Sequence, residues 1–437
     1  MLELVSSGLL SVWLDMVGIH ASAQDVFTLI AGPGIPGLAI AGEPDQIAET
    51  ILKQYIKDLT AKGNPEKGQG VWIQSGPLVL ASNQGTVPLP AASLTKIATS
   101  LAALQTWGPF HQFETLVSAT GPIKEGVLQG DLVIAGGGDP MFVWEEAIAV
   151  GNALNKMGIK HVSGNLIIAG KFSMNFQPDP GISGEMLKEA FDARNWGTEA
   201  EFVYSSLPAG TAKPQLAIAG GVKIQKKSSV GNKILLLRRR SLPLAEILRQ
   251  MNIYSNNEIA EMLAEGVGGA QAVKQIAAAA AQVPPEEIEI INGSGLGQEN
   301  RISPRAACAM YIAIQRYLLP YQLTIADLFP VSGRDGGTLD YRQIPKDTTI
   351  KTGTLSDVSA LAGALPTRER GLIYFAIINR GYDVDGFRIQ QDILLQRLQK
   401  QWGAALQTPF AITARPINDP LFSSLGAANR NEILFGG

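Results

Sequence analysis

The sequence predicts an α+β fold in two domains, one set into the other. Three observations carry this: amphipathic helical spacing towards both ends, antiparallel strand patterns next to those helices, and a middle stretch of short strands bounded by glycines. At 437 residues the chain is longer than one ordinary core organises. Its 46% hydrophobic and 17% charged residues, with a net charge of −3, are those of an ordinary soluble globular protein. Nucleic acid is excluded as a partner, because the basic runs Lys226-Lys227 and Arg238-Arg239-Arg240 lack interleaved aromatics and read as solvated surface. Cys308, the single cysteine, sits in an apolar helical stretch and reads as core, which excludes an intrachain disulfide and a thiolate metal cluster. His20, His111 and His161 are scattered without the spacing of a zinc site or a Ser-His-Asp triad.

Residues 1–23 are mostly apolar from Leu4 to Val17 and end near Ala21-Ser22-Ala23, as a signal or membrane-attached segment does. The pattern is atypical, since no Lys or Arg precedes it and Glu3 and Asp15 interrupt it. Residues 24–45, rich in Gly, Pro and Ala, read as a linker or arm. Residues 45–62 carry Ile47, Ile51, Tyr55, Ile56 and Leu59 at helical spacing, and 71–75 with 78–81 around Gly76-Pro77 read as a hairpin. A second helix begins near Ser93 on the stripe Leu94, Ile97, Ala98, Leu101, Leu104. Strands then alternate with glycines through 130–140 and 164–170, and residues 116–235 read as a separate strand-rich insert. The Gly136 to Gly138 run lacks the Lys-Ser/Thr and helix of a phosphate loop and reads as a tight turn. Helical spacing resumes at Ser241 and is broken by the polar turn 254–258. Residues 292–297 read as a flexible turn and 304–318 as a helix. A meander follows over 348–355, 360–365 and 372–379, then a helix over about 386–402. The expected division is therefore 46–115 with 236–402 as one discontinuous domain, 116–235 as the insert and 403–437 as an extended tail.

Candidate chemistry starts at Ser93-x-x-Lys96. Positions i and i+3 share a helix face, so the hydroxyl and the amine meet. A serine attacks only when a base takes its proton, and a lysine is that base only when its surroundings lower its pKa. Alone the motif is weak, and an exposed Ser and Lys on a helix is the plainer reading. Ser255-Asn256-Asn257 likewise has a plain reading as a helix N-cap. Lys351-Thr352-Gly353 lies on the first strand of the meander. Together, in this order and on helix, inter-helix turn and strand, the three are the signature of penicillin-recognising acyl-transfer enzymes.

Further segments narrow the resemblance: 130–133 with 137–140, Asn292-Gly293-Ser294-Gly295-Leu296, and 329–333 with Asp335-Gly336-Gly337-Thr338-Leu339. From about residue 46 to 402 the chain resembles the low-molecular-mass class C penicillin-binding proteins, the D-alanyl-D-alanine carboxypeptidase/endopeptidase family. The resemblance implies a penicillin-recognising serine transpeptidase-like domain, with helices on an antiparallel five-stranded sheet, and an insert between the first two motifs. The family's insert is usually longer. An Asp that often follows the strand resembling 164–168, and contacts the peptide's diamino-acid side chain, is replaced here by Ala169, so that pocket is not carried over.

The resemblance implies Ser93 as nucleophile, Lys96 as general base, Ser255 as proton relay and Lys351 as an electrostatic group that, with the Thr352 and Thr354 hydroxyls, binds the terminal carboxylate. It implies Asn257, Thr352, Gly353 and Thr354 as substrate-binding residues, and backbone N–H groups of Ser93 and Thr354 for the oxyanion. In that reading Lys96 is held neutral by burial and by the positive Lys351. No metal or organic cofactor is required. The expected partners are peptidoglycan peptides, with β-lactams as inhibitors, on the periplasmic side of the cell envelope. The competing readings are a β-lactamase or related serine esterase, and a catalytically silent envelope scaffold.

Overall fold

A computed structural model describes residues 45–225, 233–415 and 424–435. The expectations for residues 1–23, for nearly all of 24–45 and for Lys226-Lys227 lie outside the described residues. The described residues form two compact units: one from 45–106 and Leu248–Arg415, the other from 107–225, 233–247 and 424–435.

The first unit opens with α1 (Gln46–Ala61), which starts where the Asp45 carboxylate accepts the N–H groups of Ile47 and Ala48. Its apolar stripe Ala48, Leu52, Tyr55 and Leu59 is buried. The expected hairpin is β1 (Gln69–Ser75) and β2 (Leu78–Asn83). A single 3₁₀ turn, Ala92–Leu94, then leads into α2 (Thr95–Trp107).

The second unit holds β3 (Glu114–Ala119), β4 (Leu132–Gly137), α3 (Trp144–Lys156), β5 (Leu166–Lys171), α4 (Pro180–Phe191), α5 (Thr198–Ser205), β6 (Val222–Gln225) and β7 (Ile234–Arg240). The helix α6 (Leu244–Tyr254) runs from the last residues of the second unit into the first, which continues with α7 (Asn257–Val267), α8 (Ala270–Ala281), α9 (Pro304–Leu318), β8 (Thr349–Leu355), β9 (Val358–Pro366), β10 (Leu372–Arg380) and α10 (Val384–Trp402). Last is β11 (Asn431–Ile433), in the second unit.

The first unit is built on a five-stranded sheet in the order β8-β9-β10-β1-β2, antiparallel throughout. One face packs α1 and α10 through Leu52, Leu59, Leu361, Phe375, Phe387 and Leu395. On the other side α9 runs against β10 and β1. Strand β8 is therefore an edge. Its residues alternate, Lys351 and Gly353 to one face and Thr352 and Thr354 to the other.

In the second unit the sheet order is β6-β5-β4-β3-β7-β11, with β4, β5 and β6 mutually parallel. Besides the strands expected there, α3 and α4 cover the sheet with Trp144, Val150, Leu154, Leu187 and Phe191. The reading of Gly136 to Gly138 as a tight turn is corrected: Gly136 and Gly137 end β4, and only Gly138 leaves the strand, at φ +91. Glycine is needed here for approach. A Cβ at Gly136 would lie 2.5 Å from the Lys171 carbonyl oxygen, and one at Gly137 would lie 2.4 Å from that of Glu114.

Two further expectations fail for one reason. Strand alternation sends Arg238 and Arg240 outward to Glu114 and Glu432, and turns Arg239 inward, where it is 1% exposed. There its Nε donates to the Glu146 carboxylate at 2.7 Å. Arg430 donates to the same carboxylate through Nη1 at 2.8 Å and Nη2 at 2.5 Å. So the basic run is not uniformly solvated, and the stretch read as an extended tail supplies a buried arginine and a paired strand. Nothing local marks either, because both depend on a partner about 190 residues away, as in the β7–β11 register Arg239↔Asn431. Breaking such a group leaves an uncompensated buried charge, which typically costs about 3–5 kcal/mol. Glu146→Gln is expected to lower the unfolding temperature of the second unit strongly, and a calorimetric trace indistinguishable from wild type would refute that role.

Candidate active site

The site lies in the first unit, where α2, α7, the 292–297 loop and the edge strand β8 meet. Ser93 is half-buried in the 3₁₀ turn, one residue after Ala92, which adopts φ +47. A non-glycine residue in this region carries strain on the order of 1–3 kcal/mol, and such strain concentrates at functional sites. Ser255, between α6 and α7, is a second case at φ +54. Two glycines allow the turn to be approached. At Gly295 a Cβ would fall 1.9 Å from the Ala92 carbonyl oxygen, and at Gly353 one would fall 2.9 Å from that of Ala91 and 3.0 Å from the Ser93 nitrogen. Strand β8 thus passes directly beside the serine.

Lys96, one helical turn on from Ser93, has no exposed surface. Its Nζ lies 2.9 Å from Ser93 Oγ and donates to Asn257 Oδ1 at 2.8 Å and to the Ser294 carbonyl at 2.9 Å. The last two are acceptors only, so they take two protons from the amine. A neutral amine then has a lone pair left for the Ser93 hydroxyl proton. Burial brings the Lys96 ammonium down to about 8, against the carboxylates of Glu261 and Glu258, which favour its charged form. Lys351 is equally buried. It donates to Ser255 Oγ at 3.1 Å and to the Thr352 carbonyl at 2.8 Å. Burial and the charge of Lys96 push its proton affinity well below normal. Of the two causes expected to keep Lys96 neutral, burial is the larger.

The structure brings Ser93, Lys96 and Asn257 into one hydrogen-bonded group and joins Ser255 to Lys351. Asn256, not Asn257, is the helix cap, its side chain accepting the Ile259 N–H. The plain reading of that turn as a cap thus holds for Asn256, while Asn257 turns to Lys96. Thr352 meets Lys351 through its carbonyl, and the Thr354 hydroxyl meets Arg388 at 3.0 Å.

The reading of 292–297 as flexible is corrected. Glu261 accepts the N–H groups of Gly293 and Ser294, both at 2.9 Å, and Thr99 donates to the Gly293 carbonyl at 2.7 Å. Glu261 thereby fixes the carbonyl that holds Lys96. Sequence reasoning missed it, although it lies four residues after Asn257 on the same helix face. Arg388 had no signal at all, since only the packing of α10 brings it to β8.

A serine bonded to a buried, proton-poor lysine, beside a Ser-Lys pair and an edge strand, defines a penicillin-recognising serine acyl-transfer enzyme. Residues 52–193 and 198–400 match the D-Ala-D-Ala carboxypeptidase 3 (S13) family, and the chain belongs to it. It is 27% identical over 335 residues to carboxypeptidase DacB of Mycolicibacterium smegmatis, covering 67% of this chain and 72% of that protein. It is 25% identical over 431 residues to a D-alanyl-D-alanine carboxypeptidase of Actinomadura sp. R39, covering 74% and 79%. Among solved structures the fold matches penicillin binding protein 4 (dacB) from Haemophilus influenzae, with TM-score 0.61, 20% identity, and coverage of 80% of this chain and 99% of that one. A predatory peptidoglycan endopeptidase from Bdellovibrio bacteriovorus also matches, with TM-score 0.63, 21% identity and coverage of 76% and 92%. The protein is a serine-type D-Ala-D-Ala carboxypeptidase/endopeptidase of the penicillin-binding class.

The Lys96 environment sets a pH dependence. With Lys96 in the role of proton acceptor proposed below, its neutral amine is the active form, and acylation by a β-lactam is expected to speed up as pH rises through about 8. Glu261→Gln removes a charge that favours the ammonium, so the same limb should move to lower pH. Stopped-flow acylation rates between pH 6 and 9.5 check both, and a limb left in place by the substitution would contradict the electrostatic role of Glu261.

Proposed function

We propose that Ser93 is the nucleophile and Lys96 its general base, acting on D-Ala-D-Ala-terminated peptidoglycan stem peptides. What carries this reading is the three-fold contact of Lys96 Nζ with Ser93 Oγ, Asn257 Oδ1 and the Ser294 carbonyl. As Ser93 Oγ bonds to the carbonyl carbon of the scissile amide, its proton passes to Lys96. The oxyanion is met by the backbone N–H groups of Ser93 and Thr354, where loss of one such donor typically costs about 3 kcal/mol. Ser255, bonded to Lys351, relays a proton to the departing amine as the C–N bond breaks. Water then attacks the ester, releasing the shortened peptide and returning the proton to Ser93.

Lys351 supports this relay electrostatically, relieved of its neighbour's repulsion whenever Lys96 is neutral. Asn257 spans base and substrate amide, while the Thr352 and Thr354 hydroxyls and the close approach allowed by Gly353 seat the substrate along β8. A β-lactam follows the same first step, but its leaving group stays tethered, so the ester persists. Such substrates place the enzyme on the periplasmic side of the envelope. No helix among the described residues is long and apolar enough to cross a membrane.

The test is labelling by a fluorescent penicillin followed by intact mass, wild type beside Ser93→Ala. A long-lived adduct is expected on wild type and none on the variant. Release within seconds would favour a β-lactamase instead, and no adduct on wild type would sink the reading.

A further inference from the structure

We infer that Asn300 and Gln298 are positioning residues, which tie the 292–297 loop to the Ser93 turn on one side and to the end of β8 on the other. The inference rests on the acyl-transfer reading above and adds to it what aims the Lys96 amine. Ser294, in the middle of this loop, supplies the carbonyl that accepts from Lys96 at 2.9 Å. Whatever fixes that carbonyl also fixes the amine that meets Ser93 Oγ.

Asn300 closes the loop from within. It has no exposed surface, and its side-chain amide is used on both sides. Oδ1 accepts the N–H groups of Ile291 at 3.0 Å and Asn292 at 3.3 Å, while Nδ2 donates to the carbonyls of Leu296 at 3.1 Å and Gly297 at 3.3 Å. Both ends of the loop therefore converge on one planar group, with Ser294 between them. Among side chains of this length only asparagine pairs two acceptor lone pairs with two donor hydrogens. The backbone of the same residue reaches the nucleophile. Its carbonyl accepts the Ala91 N–H at 2.8 Å, and Arg301 pairs with Pro90 in the neighbouring register position. Ala91 is two residues before Ser93, so loop and serine are held from one point.

Gln298 makes the outer tie. Its Nε2 donates at 2.8 Å to Oδ1 of Asp357, in the turn between β8 and β9, and its Oε1 accepts from Arg380 Nη2 at 3.2 Å. Arg380 Nε donates to the other oxygen of Asp357 at 3.3 Å, so the three side chains form a closed triangle. Asp357 is three residues past Thr354, whose N–H is assigned to the oxyanion above. The loop that aims the base is thereby joined to the strand that carries the oxyanion donor. Glu261 grips the same loop from α7, which leaves it tied on three sides. The charged groups facing Lys96 are Glu258 and Glu261 on α7 and Lys351 on β8. Neutral replacements of Asn300 and Gln298 alter none of them.

The experiment follows acylation by a fluorescent penicillin across pH, as a rate per Ser93 labelled in the intact mass, for wild type, Asn300→Ser, Gln298→Ala and the double variant. Misplacing a catalytic group by a fraction of an ångström or more is expected to lower the limiting rate about 10–100-fold in Asn300→Ser. Gln298→Ala, which loses exposed hydrogen bonds, should lose about 3–10-fold. A carbonyl that accepts from Lys96 favours its ammonium, so loosening it should also move the rising limb to lower pH in both. Because both ties act through one loop, the double variant should fall less than about 3-fold below Asn300→Ser. Losses that multiply, or an unchanged rate and limb with only a smaller labelled fraction, would overturn the inference and leave the acyl-transfer reading standing. Should Asn300→Ser fail to fold, Gln298→Ala decides alone, and a wild-type rate and limb in it would be fatal. A wild type that takes no penicillin on Ser93 overturns both readings together.

Discussion

Two lysine side chains with no exposed surface, Lys96 and Lys351, share one site, and the rest of the first unit is arranged around that constraint. Two ammonium ions in a desolvated space repel each other, and each loses hydration that protein dipoles replace only in part. The outcome is a pair that holds its protons loosely. Every neighbouring group has a part in this: the carbonyls of Ser294 and Thr352 and the amide oxygen of Asn257 accept from the amines, and Glu261 and Glu258 limit how far Lys96 falls. An apolar lining would have stripped Lys96 of charge entirely, and a carboxylate in direct contact would have locked the charge on.

That balance depends on backbone approach as much as on side chains. Ala92 and Ser255 are held in left-handed conformations, while Gly295 and Gly353 allow the backbone to close around Ser93. Strain at two positions and missing Cβ atoms at two others let four separate segments meet at one hydroxyl. A substrate entering such a site finds its dipoles already oriented, which is where most electrostatic catalysis originates.

Much of this was legible in the sequence. Ser93, Lys96, Ser255, Asn257 and the β8 motif stand in short local patterns, and helical or strand spacing places each on its element. The flanking helices, hairpin and meander were equally plain, because their apolar periodicity is local. What escaped were pairings across long separations. Glu261 reaches a loop more than thirty residues away, Arg388 reaches a strand through tertiary packing, and Arg239 is buried by residues near the end of the chain. Composition misled where it averaged over alternation: three consecutive arginines read as solvent-facing, although a strand must turn the middle one inward. The glycines at 136–137 read as a tight turn and those at 293–295 as a flexible one, whereas the folded chain uses them for close contact.

The placement of β11 has a consequence for how the second unit is completed. Its partner strand β7 ends at Arg240, and the residues that cover that edge are Asn431 to Ile433. A chain delivered N-terminus first must therefore produce all of α6 to α10 before the sheet receives its last strand. At ordinary synthesis rates of about 5–20 residues per second, that interval is on the order of ten seconds or more. Throughout it, Glu146 lacks Arg430 and one sheet edge stands open, a template for pairing with any other chain in the same state.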